Sequence, residues 1–324
     1  MLFGSGAFGL PTFEAMHAEH EVVAVVSQPD KPAGRKRVLT PTPVAQWALK
    51  QGLPVLRSDD VNTPQFIDQV KGCRPDASVV IAFGQKLCPA LIGAMGSLAV
   101  NLHSSLLPRY RGAAPINWAM IHGDTQTGVS VIALAQTMDA GEIYAAQTLT
   151  IDPNEIAGEL HDRLSALGPD AVGRVLADLA GGTLKAIAQD PSQATRAPKF
   201  KKADGTADFN NPATLVRARI HGLTPWPGCK VNWRCQASGQ SMPLTIKRVE
   251  QRVEHGVEQR PDDLLAASGT QASPGTVLDD YCVACAQGSV RLIEVQVAGK
   301  QAMKIEDFAR GHGLAAGDVL SAIV

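Results

Sequence analysis

Asn101 and His103 occupy alternate positions at the end of an apolar run in the segment VNLHSSLLPRYRGAAPI (100–116). An abrupt Ser-Leu-Leu-Pro turn and two arginines, Arg109 and Arg111, follow them. An amide, an imidazole and a proline-locked loop at the carboxyl end of a strand form a reaction site more readily than a packing solution. Asp139 opens an Asp-Ala-Gly turn further along. Taken singly, each residue has a plain explanation, a satisfied histidine or an ordinary turn. Together they fit acyl transfer: an amide N–H and a protonated imidazole can stabilise an oxyanion, while a carboxylate keeps the imidazole charged and oriented. No G-x-S-x-G segment is present, so the nucleophile is expected to come from the substrate.

Two other segments carry potential chemistry. Gly4, Gly6 and Gly9 match G-x-G-x-x-G, the dinucleotide fingerprint. That fingerprint needs a full strand before it and an acid placed for the ribose after the next strand. Only Met1 to Phe3 precede it here, and Asp30 lies in a Pro-rich basic segment. Glycines that let a first strand turn tightly into a helix are the expected explanation, and the short lead suggests a late start or a trimmed terminus. QPDKPAGRKRVL (28–39) gathers Lys31, Arg35, Lys36 and Arg37 in a loop with no apolar anchor. It is either a solvated surface loop or a contact for a phosphate backbone.

The elements that must position these residues follow from periodicity. β-Branched runs at 21–27 and 76–82 read as strands, as do 98–101 and 129–134, with helical spacing at 43–51 and 113–121 between them. This alternation predicts an α/β fold with a mostly parallel sheet covered by helices, whose ligands sit at the carboxyl ends of strands near a topological switch point. From Glu155 the pattern is helical, broken or kinked at Gly168-Pro169. Residues 190–198 (DPSQATRAP) lack periodicity and read as an interdomain linker. A short helix is expected next, with Asn211 as its N-cap and Pro212 in its first turn. Beyond Gly222, strands at 229–235, 244–249 and 290–297 predict a small barrel, interrupted by a polar, mobile excursion at 252–274.

Bulk properties narrow the classes. A chain of 324 residues suggests two domains, and 30 Lys+Arg against 31 Asp+Glu leave no global charge that implies nucleic acid. A hydrophobic share of 45% with 19% charged residues reads as a soluble globular protein. No apolar run is long enough to cross a bilayer and no signal peptide is evident, so no membrane partner is expected. Six cysteines do not make a disulfide scaffold, and a reducing cytoplasm is the default. Cys282 and Cys285 have zinc-like spacing, but nothing completes such a site, so buried thiols and no metal are expected.

The segment NLHSSLLPRYRGAAPI is similar to the signature of the folate-dependent formyltransferases. The resemblance implies that Asn101, His103 and Asp139 carry the chemistry and that Ser105, Leu106, Leu107 and Pro108 line the folate site. QPDKPAGRKRVLTPTPV, the LTPWPG segment (223–228), SPGTVL (273–278) and VAGKQAM (297–303) resemble one branch of that family along nearly the whole chain. That branch formylates initiator methionyl-tRNA. The resemblance implies a Rossmann-like catalytic domain at 1–189, a linker at 190–209 and an OB-like, tRNA-binding β-barrel at 210–324. It further implies 10-formyltetrahydrofolate as co-substrate, a monomer, and tRNA contact through Lys31, Arg35, Lys36 and Arg37. Other classes are kept open: a nucleotide-sugar N-formyltransferase, a non-catalytic RNA-binding protein and, least favoured, a dehydrogenase.

Overall fold

The structure, a computed structural model, describes residues 1–34, 37–252 and 272–323. The chain divides into two compact units. The first comprises Met1–Pro115, Gln126–Thr150 and His161–Pro198, and the second Ile116–Thr125, Ile151–Leu160 and Lys199–Val324.

In the first unit, β1 (Leu2–Gly4) leads through a short turn into α1 (Leu10–Glu19). Next come β2 (Val25–Ser27), a hairpin of β3 (Lys31–Ala33) and β4 (Val38–Thr40), and α2 (Pro43–Lys50). β5 (Val55–Arg57), α3 (Pro64–Gly72), β6 (Ala77–Ile81), α4 (Pro89–Ile92) and β7 (Leu98–His103) continue the alternation. After the short β8 (Arg111–Gly112) the chain forms α5 (Pro115–Ile121), which falls in the second unit from Ile116 on, and returns for β9 (Gln126–Ala133) and β10 (Ile143–Thr150). α6 (Ala157–Ser165), which re-enters the first unit at His161, α7 (Gly168–Ala180) and the two-residue β11 (Arg196–Ala197) close the series.

Seven strands form one sheet in the order β10-β9-β7-β6-β1-β2-β5. β7, β6, β1, β2 and β5 are mutually parallel, and only β9 runs against them. Burial of both faces explains the nearly continuous apolar runs. Phe3, Val26 and Val80 align across adjacent strands and pack with Phe66, Ile67 and Val70 of α3, while Leu2, Val25 and Val79 are buried on the opposite face. α2 and α3 start where their sequences say they should. Thr42 accepts from the Ala45 N–H at 3.1 Å, Thr63 accepts from that of Phe66 at 3.4 Å, and a proline follows each cap.

Several expectations shift. β2 occupies only the last part of the predicted 21–27 strand, and β7 extends two residues beyond 101, so Asn101 and His103 both lie within it. Of the break or kink expected at Gly168-Pro169 the structure shows the break: α6 ends at Ser165 and α7 starts at Gly168, so the proline sits in a first turn where its missing N–H has no intrahelical partner to lose. The basic segment is not an open loop. β3 and β4 pair antiparallel from Lys31↔Thr40 to Ala33↔Val38, with Arg35 and Lys36 lying outside the described residues. Residues 190–198 belong to the first unit, where β11 pairs with β8.

The second unit carries α8 (Ala213–Gly222), β12 (Cys229–Arg234), β13 (Ser241–Arg252), β14 (Cys282–Ala284), β15 (Ser289–Val297), β16 (Ala302–Lys304), α9 (Ile305–His312) and β17 (Val319–Ala322). The antiparallel sheet runs β14-β15-β13-β12-β17, with β16 on β15. Bridges Val277↔Val283 and Thr276↔Val319 join its two edges, curling it into an OB-like barrel. Buried Cys229, Val231 and Trp233 alternate along β12 with Lys230, Asn232 and Arg234. Trp233 Nε1 donates to Asp318 Oδ2 at 2.9 Å inside the barrel. Asn211 is not the α8 cap: its amide turns back onto Asp208, and Pro212 holds the cap position with extended ψ. Cys282 and Cys285 are buried free thiols, and burial pushes the latter up to about 11. Most of the 252–274 excursion (253–271) lies outside the described residues.

Candidate active site

β7 has period-two alternation, so Asn101 and His103 share one face while Val100 and Leu102 are buried on the other. Across the sheet they stand opposite Ile132 and Ser130 of β9. The turn that follows is fixed by hydroxyls. Ser105 Oγ donates to the Arg109 carbonyl at 2.7 Å; Ser130 Oγ donates to the Ser105 carbonyl at 2.8 Å and accepts from the Leu107 N–H at 3.1 Å. The Leu107–Pro108 peptide is cis, and Tyr110 has φ +63°.

That bend brings the Tyr110 carbonyl to His103 Nε2 at 2.9 Å. A carbonyl only accepts, so Nε2 carries a proton and Nδ1 is the nitrogen left to meet a substrate. His103 is buried, and its Nδ1 lies 3.8 Å from Asp139 Oδ2. The same oxygen accepts from the Gly112 N–H at 2.9 Å. Gly112 is required there: a Cβ would lie 2.5 Å from the Ala197 carbonyl oxygen, and φ is +132°. Asp139 itself has φ +55°. At the end of its turn a Cβ on Gly141 would meet the Ala133 carbonyl oxygen at 1.9 Å. Among the described residues the half-buried Asn101 amide makes no side-chain hydrogen bond, so its donors remain open to a ligand.

The structure therefore brings Asn101, His103 and Asp139 together in one unit. Ser105 and Leu107 are buried in the turn, whereas Leu106 and Pro108 are half-buried. Lys31 and Arg37 lie on the separate β3–β4 hairpin, where Lys31 Nζ donates to Gln28 Oε1 at 2.7 Å. Val38 and Leu39 are exposed on the same hairpin, an apolar element absent from the sequence expectation.

The glycine motif serves packing. A Cβ on Gly4 would lie 2.4 Å from the Phe13 ring, and one on Gly9 would lie 3.0 Å from it. Beyond the ends of β1 and β6, where the strand order reverses, the protein's own side chains bond to its backbone. Ser5 Oγ and Gln28 Nε2 both donate to the Phe83 carbonyl, at 3.1 and 3.0 Å. Asp30, weighed as a ribose ligand, pairs with Arg57 at 3.2 Å. The candidate site lies one strand further along, on β7.

Sequence reasoning missed the Tyr110 carbonyl, the Gly112 N–H, Ser130, Gln189 and Thr195. Ser130 could have been flagged as a polar residue inside an apolar strand. Thr195 Oγ1 accepts from the Tyr110 N–H at 2.8 Å, and the Ala197 carbonyl accepts from Ala113 and Ala114, so the segment expected as a linker holds the turn that follows β7.

The formyl transferase family model matches residues 2–176, and the formyl transferase C-terminal domain model matches 199–313. Methionyl-tRNA formyltransferase from Trichlorobacter lovleyi is 38% identical over 99% of this chain and 96% of its own length. The enzyme of the same name from Myxococcus xanthus is 36% identical over 98% and 96%. Among solved structures, an N-formyltransferase from Helicobacter canadensis in complex with folinic acid and dTDP-3-aminofucose superposes with a TM-score of 0.62 at 12% identity. It covers 93% of this chain and 98% of its own. HypX from Aquifex aeolicus, in complex with tetrahydrofolic acid, gives 0.53 at 14% identity over 81% of this chain and 43% of its own. These two likenesses carry the fold.

Proposed function

The chain belongs to the formyl transferase family in both of its domains, alongside the methionyl-tRNA formyltransferases, and from that membership we propose how its site works. It transfers the formyl group of 10-formyltetrahydrofolate to the free α-amine of initiator methionyl-tRNA, giving N-formylmethionyl-tRNA for translation initiation. The observation that carries this reading is the meeting of His103 with Asp139 on the sheet that also presents the Asn101 amide, which makes no side-chain hydrogen bond among the described residues.

The substrate amine, deprotonated, attacks the formyl carbon, and the carbonyl electrons move onto oxygen. Asn101 and His103 Nδ1–H stand on one face of β7 to receive that oxyanion. Each such donor lowers a barrier of this kind by roughly 3–4 kcal/mol. Collapse of the tetrahedral adduct breaks the bond to the folate nitrogen, which takes a proton. Asp139 orients the imidazole and relays the proton lost by the amine. Nδ1 carries the exchange because the Tyr110 carbonyl holds Nε2–H. The folate is received by the turn at Ser105, Leu106, Leu107 and Pro108. Leu106 and Pro108 offer surface, and Ser105 and Leu107 hold the shape.

Lys31 and Arg37, with Arg35 and Lys36 from outside the described residues, give the hairpin four cations for the tRNA backbone. All six cysteines are free thiols, which supports a cytoplasmic setting. No helix among the described residues is long and apolar enough to cross a membrane. The test is formyl transfer from 10-formyltetrahydrofolate to charged initiator tRNA, charged elongator methionyl-tRNA and a dTDP-amino sugar, run in parallel. The account expects the initiator to react fastest, whereas a preference for the sugar would replace tRNA as the substrate.

A further inference from the structure

Gln189 lies at the edge of the segment whose composition reads as a linker, yet it is bonded into the catalytic turn. Its Nε2 donates to the Asp139 carbonyl at 2.9 Å and to the Gly141 carbonyl at 2.7 Å. Its Oε1 accepts from Arg111 Nε at 3.1 Å and from Arg111 Nη2 at 2.6 Å. The partners fix the orientation of this amide. Exchanging its nitrogen and oxygen would set an NH2 against a guanidinium and an oxygen against two carbonyls. Both amide protons have acceptors and the oxygen takes both guanidinium donors, so Arg111 dictates which way Gln189 faces.

The bonds close a ring. From the Arg111 side chain it passes through Gln189 to the Asp139 backbone, and from the Asp139 carboxylate it returns to the N–H of Gly112, next to Arg111. Asp139 needs such a frame because its φ of +55° is unfavourable for a residue with a Cβ. Gly141 is jammed against the Ala133 carbonyl at the other end of the turn. Of the two carbonyls between those constraints that Gln189 reaches, one belongs to the residue whose carboxylate faces His103.

We propose that Gln189 is the positioning residue for Asp139, with Arg111 setting its orientation, and that its function is to hold the carboxylate at its distance from His103 Nδ1. The proposal rests on the reading of Asp139 as catalytic. It predicts an effect on rate and not on substrate binding, because both amide protons and the oxygen of Gln189 are already committed to Arg111 and the turn. Displacing a reacting group by about 1 Å costs about 100-fold in rate.

The experiment is single-turnover formyl transfer to charged initiator tRNA by wild type, Gln189→Ala, Gln189→Glu, Asp139→Ala and the Asp139→Ala/Gln189→Ala double variant. Tetrahydrofolate binding and melting temperature are recorded to show that each variant is folded. Gln189→Glu keeps the length and the Arg111 pairing but puts an acceptor oxygen against the two carbonyls. Both Gln189 variants are expected to lose about 10- to 100-fold in rate, with the KM for folate and for tRNA within about twofold of wild type. In the Asp139→Ala background the further loss is expected to be under about twofold, since no carboxylate is left to position. Equal losses from Gln189→Ala in both backgrounds, or a wild-type rate in both Gln189 variants while Asp139→Ala is impaired, would overturn the proposal alone. A wild-type rate in Asp139→Ala would overturn the catalytic reading beneath it.

Discussion

His103 in the first unit and His221 in the second are both buried, at 6% and 1% exposure, and their surroundings are opposite. His103 is faced by acceptors, the Tyr110 carbonyl at Nε2 and the Asp139 carboxylate near Nδ1. His221 has a donor at Nε2, the Val249 N–H at 3.2 Å, and a further backbone hydrogen bond with Pro153. Burial, with the guanidinium groups of Arg217 and Arg248 adding to it, pulls His221 down from 6.5 to about 4. The contrast separates a buried histidine suited to proton chemistry from one suited only to structure. A ring with acceptors at both nitrogens can hold and pass a proton, whereas a ring whose lone pair is taken by a backbone N–H is a structural cross-link.

That comparison can be broken most severely at the two rings. His103→Ala is expected to lower the formyl-transfer rate about 100- to 1000-fold, as removal of an oxyanion donor does, with tetrahydrofolate binding retained. His221→Gln should leave the rate at pH 7 within about twofold and act on stability instead. Similar rate losses in both variants, read by single-turnover kinetics, would erase the distinction.

The second consequence concerns pH. Because the folded pKa of His221 lies below the unfolded value, the unfolded chain binds the extra proton between the two. The stabilising effect is complete above pH 6.5 and is lost progressively as pH falls toward 4. The loss amounts to about 2 kcal/mol by pH 5 and about 3 kcal/mol in full. Denaturant unfolding at pH 7 and pH 5 measures it, and His221→Gln should reduce the pH dependence by that amount. An identical pH profile in the variant would show that His221 is not buried in its neutral form.

The smallest expected effect is on the hairpin, where side chains are exposed and not framed. Lys31→Ala with Arg37→Ala should weaken tRNA binding about tenfold and reduce the slope of log K against log salt by about 1.5, as expected for two lost phosphate contacts. The rate at saturating tRNA should not change. A loss of rate at saturation would place these cations in the catalytic framework and not on the substrate.

The candidate trio was legible in the sequence because it consists of side chains of distinctive types: an amide and an imidazole two apart on a strand, and a carboxylate on a Gly-closed turn. What orients the trio was not. The Tyr110 carbonyl and Gly112 N–H are backbone atoms, identical in every residue type, and only a fold reveals where they point. Gln189 meets Arg111 across 78 residues, with no local pattern to announce the pair. Residues 190–198 read as a linker because they carry no apolar face. They are held instead by backbone bonds to the turn at 110–114, which leave no periodicity. The parallel sheet and the barrel were visible in alternating β-branched runs, whereas the β3–β4 hairpin, three residues to a strand and containing Pro32, was too short to register.

The central claim is that the Asp139 carboxylate acts through His103 Nδ1. The most direct test is the single-turnover rate of formyl transfer to charged initiator tRNA by Asp139→Asn, which keeps the size and the turn but removes the charge. With tRNA and tetrahydrofolate binding intact, the account predicts a rate at least about 100-fold below wild type. A rate equal to wild type would contradict it.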